Sequence, residues 1–292
     1  MKDLYDREEV KHKDEFMTEA DLRGQADPTG FFDWMFEELF AESGIADEEG
    51  AVSGSVLIVL EKSGMRRAMV HCLEKAGAKV LTAEQTDSYN YMLDTIINEE
   101  ASLLISDSDG IRGILKHSAE LSLRAVMISD RYVPASLAGS IVKAWGCDVY
   151  MHYTRPELAG LGAFGLMMRS GDDGEDPEAI CGRGLTVCDE LRIDMIDPET
   201  GNELPLRKAG LRSLIMRSGG QEAAGDWGEI VITSLFPAAE PMIDYRTGDV
   251  SRLLPPVMSE PDPGHGHGDD PQSKDQQTQR QRIDITKKRA AI

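Results

Sequence analysis

The chain has 292 residues, 41% of them apolar and 28% charged, with 52 Asp and Glu against 31 Lys and Arg and a formal net charge of −21. At that charge the surface repels phosphate backbones and anionic membranes within a Debye length, which argues against nucleic acid or a membrane as partner. No apolar run reaches the length of a membrane span and the N-terminus has no signal-peptide core, so a cytoplasmic location is expected.

Residues 1–50 read as an acidic helical N-terminal segment. Within it, "GFFDWMFEELFAES" spaces Phe32, Met35, Phe36, Leu39 and Phe40 at i, i+3, i+4, i+7 and i+8, which predicts an amphipathic helix that must dock on something apolar. "GIADEEGAVSG" follows as a linker. Residues 51–165 then fall into a rhythm. The apolar runs "VLIVL", "KVLT", "SLLIS", "AVMIS" and "DVYMHY" begin at 56, 79, 102, 125 and 148, each short enough for a buried strand. Helical patterns lie between them, carried by Met65, Met69, Cys72 and Leu73, by Met92, Leu93 and Ile96, by Ile111, Ile114 and Leu115, and by Leu137, Ile141, Val142 and Trp145. Strands joined by crossovers of this length predict an α/β unit, an open and mostly parallel five-stranded sheet with helices on both faces. Ligands of such sheets sit outside the carboxyl ends of the strands, which directs attention to the loops after Leu60, Ser106, Ser129 and Tyr153.

Beyond residue 165 the rhythm stops. "LTVCDELRIDMIDPETGNELP" alternates and turns at "DPETG", and "DWGEIVITSLF" and "MIDYRTGDVSRLL" supply further strands. Residues 166–256 therefore read as a small antiparallel, barrel-like β-domain with an insertion at about 206–225, and the polar residues 257–292 as a disordered tail. The scattered cysteines Cys72, Cys147, Cys181 and Cys188 form no metal-ligand pairs and read as reduced thiols, the first two as core fillers. His265 and His267 lack a third ligand and read as solvated tail. The run "GLGAFG" at 160–165 satisfies G-x-G-x-x-G, but a dinucleotide fingerprint must follow the first strand directly and open a helix, and this one does neither.

One stretch is more specific. "GEIVITSLFPAAEPMIDYRTGDVSRLL", 228–254, resembles the adenylate-forming acyl-CoA ligases, most closely the phenylacetate–CoA ligase branch, in which a G-E-[IVL]-V-x-T-x-L strand leads into P-[ML]-I-x-Y-R-T-G-D. "IDPETGNELP" at 196–205 stands where that branch has a similar turn, "ISDRYVPASLAGSIVKAWGCDVYMHY" at 128–153 resembles its run into the strand bearing a Y-G-x-T-E motif, and "FMTEADL" at 16–22 resembles the segment after its phosphate loop.

The resemblance implies a chemistry in which an aryl or acyl carboxylate and ATP give an acyl-adenylate, with coenzyme A then displacing AMP. Asp249 matches the aspartate that accepts both ribose hydroxyls, a task suited to an acceptor-only carboxylate. Tyr153 matches the tyrosine that packs on adenine, and Glu157 the glutamate that binds magnesium. Between these two the chain has Thr154, Arg155 and Pro156 where the motif has G-x-T, so the hydroxyl for the α-phosphate is replaced by Pro156. The expected phosphate loop is replaced by "MKDLYDREEVKHKDE", and the domain that would carry the catalytic lysine is replaced by the tail, where Lys287 and Lys288 have no fold to position them. No residue is assigned a catalytic role. The expectation is a ligase-like chain shortened at both ends, with weak or no ligase activity alone. Two alternatives stand beside it. One is a subunit of a split ligase whose partner supplies the missing regions and docks on Phe32, Phe36 and Phe40, and the other is a noncatalytic interaction protein on the same fold.

Overall fold

The computed structural model describes residues 30–46, 52, 54–61, 63–118, 120–155, 158, 160–172, 184–204, 227–234, 243–254 and 282–284. Glu157, Cys181, the segments 1–29 and 205–226, the histidines of the tail and the two tail lysines lie outside the described residues.

The predicted repeat folds as read. Strands β1 (Ser55–Val59), β2 (Lys79–Ala83), β3 (Ala101–Ser106), β4 (Ala125–Asp130) and β5 (Asp148–Thr154) pair in parallel in the order β2-β1-β3-β4-β5. Helices α2 (Gly64–Lys75), α3 (Tyr89–Asn98), α4 (Ser108–His117) and α5 (Ala135–Trp145) form the crossovers. The first crossover steps one way from β1 and the others step back, so right-handed connections place α2 on one face and α3, α4 and α5 on the other. Three of these helices begin at capping side chains, with Ser63, Ser88 and Asp107 accepting from the N–H groups of Arg66, Tyr91 and Gly110. β1, β3, β4 and β5 are buried on both sides, which is why their sequences are continuously apolar.

Helix α1 (Phe31–Ser43) buries Phe31, Phe32, Met35, Phe36, Leu39 and Phe40. Their receiving surface is this chain itself. α1 packs on α2, where Lys75 pairs with Asp33, and its aromatic rings reach His152 of β5 and Phe164 beyond it. At roughly 1.5–3 kcal/mol for each large apolar side chain, this stripe holds α1 to the core. Phe32, Phe36 and Phe40 are 3%, 2% and 4% exposed, so they offer nothing to a partner subunit and the docking expected of them is corrected.

The sheet also continues where the sequence shows no strand. β6 (Gly162–Met168) runs antiparallel to β5 and crosses residue 165, where the sequence reading ended the α/β unit. The glycine-rich run is thus a turn and a strand. β7 (Leu185–Val187) pairs with β6, and β8 (Leu191–Ile196), β9 (Gly228–Ser234) and β10 (Tyr245–Leu254) form the expected separate antiparallel sheet. The "DPETG" turn closes as read, Asp197 Oδ1 accepting the N–H groups of Glu199 and Thr200 at 2.8 Å each. Within the stretch expected to be unfolded, β11 (Arg282–Asp284) pairs with both β7 and β10 and joins the two sheets. A three-residue strand carries too little pattern to be seen in sequence. Cys72, Cys147 and Cys188 are buried free thiols, and burial pushes the latter two up to about 12. Among the described residues no helix is long and apolar enough to cross a membrane.

Candidate functional site

Asp249 lies on β10, whose pairing with β9 slips between Arg246 and Val250. The slip is a bulge, with Gly248 at φ 70, a conformation open to glycine and strained for most other residues. Glu229 of β9 clamps it. Its carboxylate accepts the Gly248 N–H at 3.0 Å and the Arg246 Nε–H at 3.2 and 3.3 Å. Thr247 Oγ1 donates to the Ile230 carbonyl at 2.9 Å and accepts the Asp249 N–H at 3.0 Å. The glutamate of "GEI" and the residues of "YRTGD" therefore form one hydrogen-bonded unit, and that unit sets the direction of the Asp249 side chain.

The carboxylate points at the carboxyl ends of β4 and β5. Tyr153 donates its hydroxyl to Asp249 Oδ2 at 3.1 Å, and Arg155 donates from Nη1 to the same oxygen at 2.7 Å and to the Thr247 carbonyl at 2.6 Å. Arg155 Nη2 lies 3.4 Å from the Tyr245 hydroxyl, and its guanidinium sits 5.7 Å from that ring. From the loop after β4, Arg131 donates to the other oxygen, Oδ1, at 3.2 Å. Burial, reinforced by Asp249, raises the Tyr153 phenol and keeps it neutral. Burial works against the Arg155 cation, but Asp249 and the two tyrosines outweigh it, so its affinity for the proton is raised.

Two of the three residues singled out in the sequence are thus in contact, 96 positions apart. Tyr153 is fully buried, and it is its hydroxyl that meets Asp249. Glu157 lies outside the described residues, among which no group of three His, Cys, Asp or Glu is placed to hold a metal. Sequence reasoning missed Arg131 and gave Arg155 no partner. The available signal was a lone arginine directly after a continuously apolar strand, a position where burial demands a counter-ion.

A second polar pair lies deeper. His152 is fully buried between β4 and α1, its Nδ1 3.0 Å from Ser129 Oγ and its Nε2 2.8 Å from the Gly160 carbonyl. Because a carbonyl only accepts, Nε2 carries the proton and Nδ1 accepts from the serine. Burial lowers the ring from 6.5 to about 4, the bond to Gly160 opposing it. The folded protein holds the neutral form, so the unfolded chain alone takes up a proton as the pH falls through 6.5. Stability from this group is complete above 6.5, declines between 6.5 and about 4, and is level below. We expect a loss of about 2 kcal/mol between pH 8 and pH 5. It should appear as a difference in urea stability between wild type and His152→Gln, and parallel pH profiles would exclude His152 as its source.

No family model and no curated protein matches the chain by sequence. Solved structures do match by fold. A long-chain-fatty-acid–CoA ligase from Archaeoglobus fulgidus aligns at TM-score 0.50 and 11% identity, over 76% of this chain and 45% of its own. A 2-hydroxyisobutyryl-CoA ligase, in an open conformation with its acyl-AMP and CoA, aligns at 0.52 and 15%, over 80% and 48%. The AMPPNP-bound form of a nonribosomal peptide synthetase aligns at 0.51 and 16%, over 77% and 24%. Over the aligned portions the chain shares its fold with these two CoA ligases and this synthetase. It spans less than half the length of each of these ligase-fold chains, and at such identities the likeness concerns the fold alone. In this chain the Tyr153–Asp249 contact lies where the carboxyl end of the parallel sheet meets β10.

Proposed function

We propose that the chain binds an adenine nucleotide, AMP or an acyl-adenylate, at the junction of β4, β5 and β10, as the nucleotide-binding portion of a phenylacetate–CoA ligase-like protein with weak or no ligase activity alone. The observation that carries this reading is the 3.1 Å contact between Tyr153 and Asp249, the two residues matched to adenine and ribose recognition, at the carboxyl end of the parallel sheet where ligands of such sheets bind. The Asp249 carboxylate is fixed by the Gly248 bulge before any ligand arrives, which lowers the cost of ordering it. Glu157 would hold magnesium against the phosphates, and coenzyme A would be the acceptor of any acyl group. Pro156 stands where the motif has a threonine, which removes a hydroxyl from the α-phosphate and supports the low activity.

The test is a calorimetric titration of AMP beside ATP–pyrophosphate exchange with a panel of aryl and fatty acids. AMP should bind, and Asp249→Ala, checked for folding by circular dichroism, should weaken it by on the order of 100-fold. Exchange at ligase-like rates would overturn the low-activity reading. A second reading, a noncatalytic interaction protein, is favoured by the fact that both Asp249 oxygens already have partners within the chain. Absence of AMP binding would select it.

A further inference from the structure

The three donors on Asp249 are not equivalent, and their differences indicate which one a ligand displaces. A carboxylate offers about four lone-pair sites, two on each oxygen. Both sites of Oδ2 are taken by donors from buried residues, the Tyr153 hydroxyl and the Arg155 guanidinium. On Oδ1 there is one donor among the described residues, Arg131, and that side chain is 44% exposed against 4% for Arg155. A vicinal diol needs two acceptor sites. The free site on Oδ1 supplies one, and the second must be vacated.

Displacing Arg155 would break a buried ion pair, a costly change, whereas Arg131 can pass into water at little cost. Its backbone N–H stays bound to Asp130 Oδ1 at 2.7 Å, so the loop keeps its place while the side chain moves. The other oxygen of Asp130 faces the Ser108 N–H at 3.3 Å, at the start of α4. Among the described residues this neighbouring carboxylate and the Arg131 guanidinium form no ion pair. A guanidinium released at the mouth of the site, with its fork of donors free, is suited to a phosphate.

We propose that Arg131 is a specificity residue of this site. It gives up Asp249 Oδ1 to the ligand's diol and takes the ligand's anionic group, so that a nucleoside monophosphate is preferred over the nucleoside. The proposal rests on the nucleotide reading given above and adds to it the moving residue and the preference for the phosphate-bearing ligand.

The experiment compares AMP with adenosine by calorimetry on the full chain, in wild type, Arg131→Ala and Arg131→Lys. Wild type should prefer AMP by on the order of 10-fold or more, from one charge-assisted contact. In Arg131→Ala adenosine should bind more tightly, because its competitor for Oδ1 is gone, and the ratio of AMP to adenosine affinity should fall toward unity. Arg131→Lys should retain part of the preference. If the alanine variant leaves the ratio unchanged, or tightens both ligands equally, the proposal fails while the nucleotide reading stands. If neither ligand binds any of the three proteins, the nucleotide reading fails and this proposal fails with it.

Discussion

Arg155→Met is expected to destabilise the chain by roughly 3–5 kcal/mol, and Arg131→Ala by less than about 1 kcal/mol, although both arginines bond to the same carboxylate. The difference is one of solvent. Arg155 is 4% exposed and bridges the end of β5 to β10 through Asp249 and the Thr247 carbonyl. Its removal leaves Asp249 largely out of water with, among the described residues, the more distant Arg131 as counter-ion, and it cuts one of the ties between the two sheets, beside β11 and the Tyr153 hydroxyl. Arg131 lies at the rim, where water replaces its single bond. Urea denaturation of the two variants measures the contrast. The double variant Arg155→Met/Asp249→Leu should recover much of the loss, because it removes the stranded charge together with its partner. If Arg155→Met lies within about 1 kcal/mol of wild type, the buried ion pair adds little to the joining of the sheets.

Gly162→Ala is expected to cost more than about 3 kcal/mol, and to do so in a stretch that a motif search would assign to phosphate binding. A Cβ built at Gly162 would stand 1.8 Å from the Tyr153 carbonyl oxygen, where β6 pairs back on β5. Backbone atoms in the middle of a sheet cannot give way as a side-chain tip does, so the hairpin must shift, and Tyr153 and Arg155 shift with it. Gly165→Ala is the graded comparison. Its Cβ would meet the Gly184 carbonyl at 3.0 Å, a contact that small movements relieve, so its loss should be visibly smaller. The two urea midpoints, read beside AMP affinity, decide the issue. A Gly162→Ala variant of normal stability that had lost only ligand binding would restore the phosphate-binding reading of "GLGAFG".

The contrast between His152 and Tyr153 shows how far the sequence could be read. Both sit in one apolar run that announces a buried strand. The resemblance assigned a role to Tyr153, and the structure places it against Asp249. Nothing local distinguished His152, whose partners are Ser129 on the neighbouring strand and the Gly160 carbonyl across a turn. The same holds for Glu229 and Gly248. Their motif was legible, but the reason for it, a carboxylate clamping a bulge on the adjacent strand, was not.

The sequence by itself determined the parallel α/β repeat, the antiparallel sheet that follows and the resemblance that selected Tyr153 and Asp249. Periodicity and turn chemistry are properties of a few consecutive residues, and they survive without coordinates. Only the tertiary structure decided that the aromatic stripe of α1 is buried in its own core, that "GLGAFG" is a turn into β6, and that Arg155 and Arg131 share one carboxylate through its two oxygens. Each of these depends on a partner distant in the chain, 94 residues from Arg155 and 118 from Arg131 to Asp249, and pairing across such distances is set by how the elements stack.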